Sequence, residues 1–209
     1  MSARFLDDEA RAAFKRAIET IENASAVEVV VAVRRRSNGY RHANVAVGAI
    51  VAFLGLTVML YSEHAFALSS ILIDPFVVAL AAGLLVEVLP DLKRVLTPPA
   101  RRRVHVMRAA RTTFVERGVH GTGGRSGLLV YISWLEREVA LVADVALARA
   151  LPAEALVRME TELTAAMTSG ARVANTLASY GGELGRAMPR TAFDINELPD
   201  AIDSDLERS

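Results

Sequence analysis

The chain has 209 residues, with 24 basic and 24 acidic side chains and no cysteine. The lack of cysteine excludes thiol catalysis, disulfides and thiolate metal sites, and it is typical of a reducing compartment. The formal net charge is zero, but the charges are spread unevenly along the chain.

The first predicted elements are a helix and a strand. Residues 5–23 carry apolar side chains at helical spacing, and Asp7 or Asp8 is placed to cap the helix. Residues 27–33 read VEVVVAV, which predicts a strand that is covered on both faces.

Two long apolar runs follow, at residues 43–61 and 71–89. Each run would be roughly 28 Å long as a helix, which matches the ~30 Å hydrocarbon core of a bilayer. We therefore predict a transmembrane hairpin over residues 43–89, inserted after the first strand. Asp74 and Glu87 lie near the ends of the second run and are interpreted as interfacial. The alternative is a pair of buried helices in a soluble protein.

Basic residues flank the two runs and are missing between them. Because residues 62–70 contain no lysine or arginine, the positive-inside rule predicts a multi-pass protein of a bacterial inner membrane, with both termini and the soluble domain in the cytoplasm. The N-terminal helix contains acids, so no cleavable signal peptide is expected. The residues predicted to meet lipid headgroups at the membrane surface are Arg34, Arg35, Arg36, Arg101, Arg102 and Arg103.

The remaining elements complete one α/β domain. A basic helix is expected over residues 100–117; nucleic-acid binding is its alternative use, but no nucleic-acid motif accompanies it. Two buried strands, 128–133 and 138–143, are expected to pair as a hairpin. Helices are predicted over 153–168 and 171–187, the second with a stripe of small residues for close packing. Residues 191–209 form an acidic tail, predicted to be extended or disordered.

The resulting fold class is α/β, a small mixed sheet covered by helices and interrupted by a two-helix transmembrane hairpin. The domain is discontinuous, comprising residues 1–36 and 97–190. The hairpin and the helix over 100–117 lie between the first and second strands, and two parallel strands require a long crossover connection such as this one.

Five stretches of the sequence match the pattern of a known family. They are Phe5–Glu9, Val27–Val31, Gly123–Val130, Glu136–Asp144 and Asn196–Asp200. In these stretches, and in the order of its elements, the chain resembles the TPM domain family. It looks most similar to a small bacterial membrane branch in which a two-helix hairpin interrupts the domain.

The resemblance implies an α/β sandwich with a small sheet between helices. Members of the family act in photosystem II maintenance or modulate a receptor, and a plant member is linked to acid phosphatase activity and calcium binding. The resemblance thus names calcium or magnesium as the cofactor to test, although the residues themselves predict none. Asp144 stands where glycine is common in the family, after the third strand.

Acidic residues around the predicted strand hairpin are the candidates for chemistry. Glu136, Glu138 and Asp144 are candidates for acid–base work, and Asp144 and Glu136 are also candidate metal ligands. His120, in the glycine-rich loop 118–127, is a further catalytic candidate. The alternative is that the two glutamates are solvated charges and Asp144 caps a helix. The loop follows a helix and lacks the lysine of a P-loop, so we predict a connecting turn.

The function expected from these observations is that of a membrane-anchored, non-enzymatic TPM-like module that assists the assembly or maintenance of membrane complexes. Its expected partners are membrane lipids and other membrane proteins, with no small-molecule substrate indicated. The alternative is a weak phosphatase or a divalent-cation-binding domain.

Overall fold

The computed structural model describes residues 5–39, 41–190, 197–198 and 202–206. The chain divides into two compact units, one comprising Met1–Ser37 and Arg103–Ser209 and the other Asn38–Arg102. We call them the α/β unit and the hairpin unit and describe each by itself.

The α/β unit contains a small mixed sheet, as the sequence predicts. Its strands are β1 (Val29–Arg34), β2 (Leu128–Ser133), β3 (Glu138–Ala143) and β4 (Asp203–Ser204), in the spatial order β3-β2-β1-β4 within the described residues. β1 runs parallel to β2 and to β4, whereas β2 and β3 form an antiparallel hairpin. The bounds of β2 and β3 are those predicted, and β1 begins two residues later than predicted.

Helices cover both faces of this sheet. The helices of the α/β unit are α1 (Asp8–Ala24), α5 (Pro99–Glu116), α6 (Val145–Ala150), α7 (Ala153–Ala165), α8 (Gly170–Ala178) and α9 (Gly181–Ala187). One sheet face, including Val31 and Val130, packs against residues of α1, α7, α8 and α9. The other face, including Ala32 and Tyr131, packs against α5. Burial on both faces explains why the strands are almost wholly apolar.

Glycines permit close contact of α8 and α9 with α1 and with the residues just before it. A Cβ on Gly170 would lie 2.1 Å from the carbonyl oxygen of Phe5, and one on Gly185 would lie 2.4 Å from that of Ala24. Gly185 belongs to the predicted stripe of small residues, so at this position the stripe has a packing role. The single helix predicted over 171–187 is divided into α8 and α9, because the consecutive Gly181 and Gly182 weaken helix propensity where the chain turns.

The hairpin unit contains α2 (Arg41–Tyr61), α3 (Leu68–Val88) and α4 (Pro90–Leu96). Among the described residues, α2 and α3 are long and apolar enough to cross a membrane. Their apolar side chains are mostly exposed, for example Phe53 and Phe76. In the core of a soluble protein, apolar side chains of this size are buried.

α2 and α3 make contact through small residues along their length and polar residues at one end. A Cβ on Gly48 would lie 2.7 Å from the carbonyl oxygen of Ala79. At the end where the unit's termini lie, the Asn44 side-chain amide donates to a Glu87 carboxylate oxygen at 2.8 Å. Glu87 also forms an ion pair with the buried Lys93 at 2.7 Å. Glu87 thus pairs with residues of its own unit, which is consistent with an interfacial position.

Part of the acidic tail, which was predicted to be extended or disordered, is described by the structure. Asp203 and Ser204 form β4 beside β1, and Leu206 is buried in the main core. Residues 191–196, 199–201 and 207–209 lie outside the described residues. The described part is extended, as one of the two predicted states, but its pairing with β1 was not predicted because a two-residue strand carries no periodicity of its own.

Candidate functional site

A buried polar group lies where β1 and β2 end. It consists of Ser37, Tyr131, Ser133 and Glu136, which we call the Ser37 cluster. The Ser37 hydroxyl lies 2.7 Å from the Ser133 hydroxyl and 3.2 Å from that of Tyr131. Glu136 accepts from the Ser37 N–H at 3.0 Å and from the Ser133 hydroxyl at 2.5 Å.

Three of the four side chains of the Ser37 cluster are buried, and Ser37 is partly exposed. Glu136 and Tyr131 are each 2% exposed, and Ser133 is fully buried. Burial raises the pKa of Tyr131 above its usual value, against the opposing effect of its hydrogen bond with Ser37. A carboxylate in this setting is stabilised by the two hydrogen bonds it accepts. The cluster therefore fixes the segment that leaves β1 to the turn between β2 and β3.

Backbone hydrogen bonds reinforce this attachment. The N–H groups of Trp134 and Leu135 donate to the carbonyl oxygens of Arg34 and Arg35, at 2.9 and 3.0 Å. The Ser133 hydroxyl is inaccessible and cannot reach a substrate as a nucleophile would have to. Its hydrogen bond with Glu136 is therefore structural. Glu136, a candidate acid–base group and metal ligand, thus has both carboxylate oxygens engaged within the fold.

Asp144 lies at the opposite end of β3 and caps α6. One carboxylate oxygen accepts from the Val145 N–H at 2.7 Å. The other is buried without a hydrogen-bond donor among the described residues, and the Arg125 Nε lies 3.8 Å from it. Asp144 is therefore a helix cap, as the alternative interpretation held, with one oxygen close to a guanidinium group. The sequence analysis missed α6 itself, which is only six residues long.

The structure separates the candidate residues. Glu138 and Asp144 lie at the two ends of β3, six residues and about 20 Å apart along an extended strand. His120 lies in a short 3₁₀ turn, exposed, with its ring 6.2 Å from that of Phe114. Glu136 and Glu138 are therefore near one another, but neither is near Asp144.

These positions bear on whether calcium or magnesium fits the chain. Among the described residues, no three histidine or acidic side chains are grouped so as to hold a metal ion. The free oxygen of Asp144 faces a guanidinium group, which repels a cation, and Glu136 has its oxygens occupied. The candidate ligands as placed here do not fit a divalent cation.

The glycine-rich loop contacts the C-terminal segment, which the sequence analysis missed. The Gly123 N–H donates to a Glu197 carboxylate oxygen at 2.7 Å. The Leu198 N–H donates to the buried Glu28 at 3.4 Å. The loop thus binds a carboxylate through its backbone. The acidic composition of the tail was the feature of the sequence that could have indicated this contact.

Several of the arginines predicted at the membrane surface make contacts within the chain. Arg34 pairs with Asp203, Arg103 pairs with Glu160 at 3.3 Å, and Arg102 donates to the Arg94 carbonyl oxygen at 2.9 Å. Exposed positions on α5 instead form a mixed stripe at helical spacing, made of Val104, Arg108, Arg111 and Val115.

Comparison with known proteins supports the fold without naming a family. No family model and no curated protein matches the chain. A similar solved structure is the NMR structure of the BA42 protein from the psychrophilic bacterium Bizionia argentinensis. The two are 14% identical, with a TM-score of 0.57 over 96% of this chain and 95% of that one. At this identity the likeness shows a shared fold.

Proposed function

We propose that this protein is a membrane-anchored module with a TPM-like α/β domain, which assists the assembly or maintenance of membrane complexes. In this proposal α2 and α3 form a transmembrane hairpin in a bacterial inner membrane. Both termini and the α/β unit lie in the cytoplasm, and the partners are membrane lipids and other membrane proteins.

The observation that carries the proposal is the exposed apolar surface of the hairpin unit. α2 and α3 each have 21 residues and keep large apolar side chains exposed over their length. A soluble protein rarely exposes so large a contiguous apolar surface, whereas a bilayer covers it. The polar contacts of Asn44, Glu87 and Lys93 at one end suit the membrane–water boundary.

The exposed stripe of α5 supports the lipid part of the proposal. Arg108 and Arg111 form no ion pair with another described residue, and Val104 and Val115 lie beside them. Guanidinium groups bind phosphate oxygens in pairs, and each basic residue near an anionic surface contributes about 1 kcal/mol. We assign this stripe to anionic lipid headgroups.

Reporter fusions test the proposed topology. A reporter after Ser209 and another in the segment 62–70 should be active on opposite sides of the membrane, with the C-terminal one inside. A C-terminal reporter active outside would overturn the cytoplasmic placement. Two reporters active on the same side would overturn the membrane hairpin.

Crosslinking in native membranes tests the partner claim. We expect the full chain to crosslink reproducibly to defined membrane proteins.

A second experiment tests the stripe of α5 in reconstituted vesicles. Because the proposed hairpin anchors every variant, the readout is amide hydrogen exchange in α5. Anionic lipid should slow this exchange in the parent, and an Arg108→Glu/Arg111→Glu variant should lose that protection. A Lys15→Glu/Arg16→Glu variant is the matched control, since these exposed residues lie on α1. Equal losses in both variants would contradict the role of α5, and a chain without membrane partners would contradict assembly.

The second candidate function is that of a phosphatase. It is favoured by the position of Asp144, which is buried beside Arg125 and has one carboxylate oxygen without a hydrogen-bond donor. Turnover of para-nitrophenyl phosphate by the full chain in detergent, lost in Asp144→Asn, would support this function. No turnover, or equal turnover in the two proteins, would count against it. A melting temperature unchanged by calcium or magnesium would count against cation binding.

A further inference from the structure

Asp74 is an acidic side chain on the exposed surface of α3. Its neighbours in sequence are apolar, and no hydrogen bond or ion pair joins it to another described residue. Ala79, whose carbonyl oxygen lies close to Gly48 of α2, follows five residues later. Five residues rotate a helix by about 140° beyond one full turn, so Asp74 points away from α2.

The contacts of Glu87 indicate the depth of Asp74 in the proposed bilayer. Glu87 pairs with Asn44 and Lys93 at the end of the hairpin unit that suits the membrane–water boundary. Asp74 is 87 − 74 = 13 residues from Glu87 along α3, or about 20 Å at 1.5 Å per residue. The hydrocarbon core is about 30 Å thick, so about 10 Å separate Asp74 from the opposite surface. At this depth Asp74 lies within the hydrocarbon and not at the interface, where the sequence analysis expected it.

An acidic side chain at this depth is unfavourable when it faces lipid tails, and such residues pair with other polar groups. Ala81 lies on the same side of α3, two turns further on, and a small residue lets the backbone of a second helix approach closely. The surface that we call the Asp74 face consists of exposed residues at helical spacing, namely Asp74, Val77, Ala81, Leu85 and Val88. Its shape and chemistry fit another transmembrane helix.

A second copy of the chain lacks a cation for Asp74 at this depth. The spans Asn44–Tyr61 and Leu68–Val88 contain no lysine, arginine or histidine. Arg41 and Lys93 flank the spans at the opposite end of the hairpin unit in every copy. Charge complementarity therefore favours a different protein as the occupant of the Asp74 face.

We propose that the Asp74 face binds a transmembrane helix of another membrane protein, and that a lysine or arginine of that helix pairs with Asp74. This inference rests on the proposed function, because it requires the hairpin to span the bilayer. It adds the chemistry by which a partner is recognised: a basic side chain, about 10 Å below the surface on the side of segment 62–70.

Model helices in vesicles test this pairing. Since the chain has no cysteine, Ser62→Cys gives the full chain one site for a fluorescent donor. The labelled chain is reconstituted into zwitterionic lipid with acceptor-labelled peptides of leucine and alanine. The peptides carry arginine, glutamate or leucine about 10 Å below the membrane surface. We expect the arginine helix to reach half-maximal energy transfer at about tenfold lower peptide-to-lipid ratio than the other two.

Variants of Asp74 link this preference to the carboxylate. Asp74→Leu should abolish the preference for arginine, and Asp74→Asn should keep a smaller one, because an amide still accepts a hydrogen bond. Neither variant should disturb the hairpin, since Asp74 points away from α2. An equal preference in the parent and in Asp74→Leu, or a glutamate helix that binds as well as the arginine helix, would overturn the proposal.

Photo-crosslinking in native membranes tests the natural occupant. A benzophenone side chain in place of Val77, on the Asp74 face, should capture a protein whose spanning helix carries a lysine or arginine. Asp74→Leu should remove this product. The same probe in place of Phe76, at nearly the same depth but on another side of α3, should not form it. No captured protein, or one without a basic residue in its spans, would overturn the proposal.

The topology reporters separate failure of this inference from failure of the proposed function. If they show that the hairpin does not span the membrane, both fail. If the hairpin spans the membrane and the arginine helix binds no better than the leucine helix, this inference alone is overturned. Energy transfer between two labelled copies of the chain that is lost in Asp74→Leu would make a second copy the occupant, which also overturns it.

Discussion

The α/β unit and the hairpin unit place the same kinds of residue in opposite positions. In the α/β unit, aliphatic and aromatic side chains such as Phe14 and Ile132 are fully buried. In the hairpin unit, residues such as Phe53 and Leu72 are largely exposed. Both units nevertheless bring helices together through glycines that touch a facing carbonyl oxygen, at Gly185 and at Gly48.

The difference shows which force holds each unit together. Removal of apolar surface from water stabilises the α/β unit by about 25 cal/mol per Å². In the proposed bilayer, α2 and α3 gain nothing from this term, because lipid tails are as apolar as the side chains. Close packing at Gly48 and the polar contacts of Asn44 and Glu87 are left to hold α2 against α3. Substitutions can therefore test the two regions separately.

The largest expected effect is at Gly185 in the α/β unit. Gly185→Ala places a Cβ 2.4 Å from a backbone oxygen, and we expect a loss of about 3 kcal/mol in the free energy of unfolding. Trp134, the one tryptophan in the chain, reports this unit by fluorescence during urea unfolding. Gly182→Ala, in the same helix with open space around it, should instead gain about 0.5–1 kcal/mol. Equal effects would contradict the packing argument.

Loss of the Ser37 cluster should be next in size. Glu136→Leu removes the acceptor of the Ser37 N–H and of the buried Ser133 hydroxyl, at a cost of about 2 kcal/mol, since the Ser133 hydroxyl keeps only the Ser37 hydroxyl as a partner. Glu136→Gln keeps an acceptor and should cost less, and Glu116→Leu at an exposed position should change little. The same fluorescence measurement separates them. A Glu136→Leu protein as stable as the parent would mean that these hydrogen bonds are replaced by water.

A smaller effect is expected at Gly48 in the hairpin unit. Gly48→Ala places a Cβ 2.7 Å from the Ala79 oxygen, but in the proposed bilayer the helices can separate into lipid without opening a void. We expect amide hydrogen exchange in α2 and α3 to become about tenfold faster, equivalent to 1.4 kcal/mol. Gly55→Ala, with open space around it, should leave exchange unchanged. An unfolding loss as large as that of Gly185→Ala would break the comparison between the units.

The smallest effect is a dependence of the stability of the α/β unit on alkaline pH. Burial, and then the hydrogen bond to Glu162, raise the pKa of Tyr180. A raised folded pKa stabilises the fold fully below the unfolded value of about 10, and this contribution is lost as pH rises beyond it. Tyr180→Phe should cost about 1 kcal/mol at pH 8 and reduce the decline above pH 10. Some decline should remain because the pKa of Tyr131 is raised as well. A pH profile identical to that of the parent would contradict the role of Tyr180.

The sequence was sufficient to predict the elements whose signal is periodic or continuous. The apolar runs of β2 and β3 predicted both strands at their observed bounds, and the helix over 100–117 corresponds closely to α5. Short elements escaped prediction, because α6 and β4 are stabilised by partners distant in sequence. β4, for example, depends on Arg34 and Arg117.

The candidate site was less predictable than the fold. Asp144 and Glu136 were singled out, and both are buried polar residues at the edges of the sheet. Their separation along β3 follows from the strand bounds, but their hydrogen-bond partners do not. Ser37 comes to Glu136 only through the pairing of β1 with β2, which no local pattern encodes.

The register of β1 also has a consequence for synthesis of the chain. Val29 pairs with Leu128, which emerges from the ribosome 128 − 29 = 99 residues later. At about 5–20 residues per second, β1 waits roughly 5–20 s for its partner. During that time both of its edges are open, and the hairpin unit is made before β2 arrives. The nascent α/β unit therefore completes its sheet only after α2 and α3 have left the ribosome, which makes β1 the segment most in need of protection from aggregation.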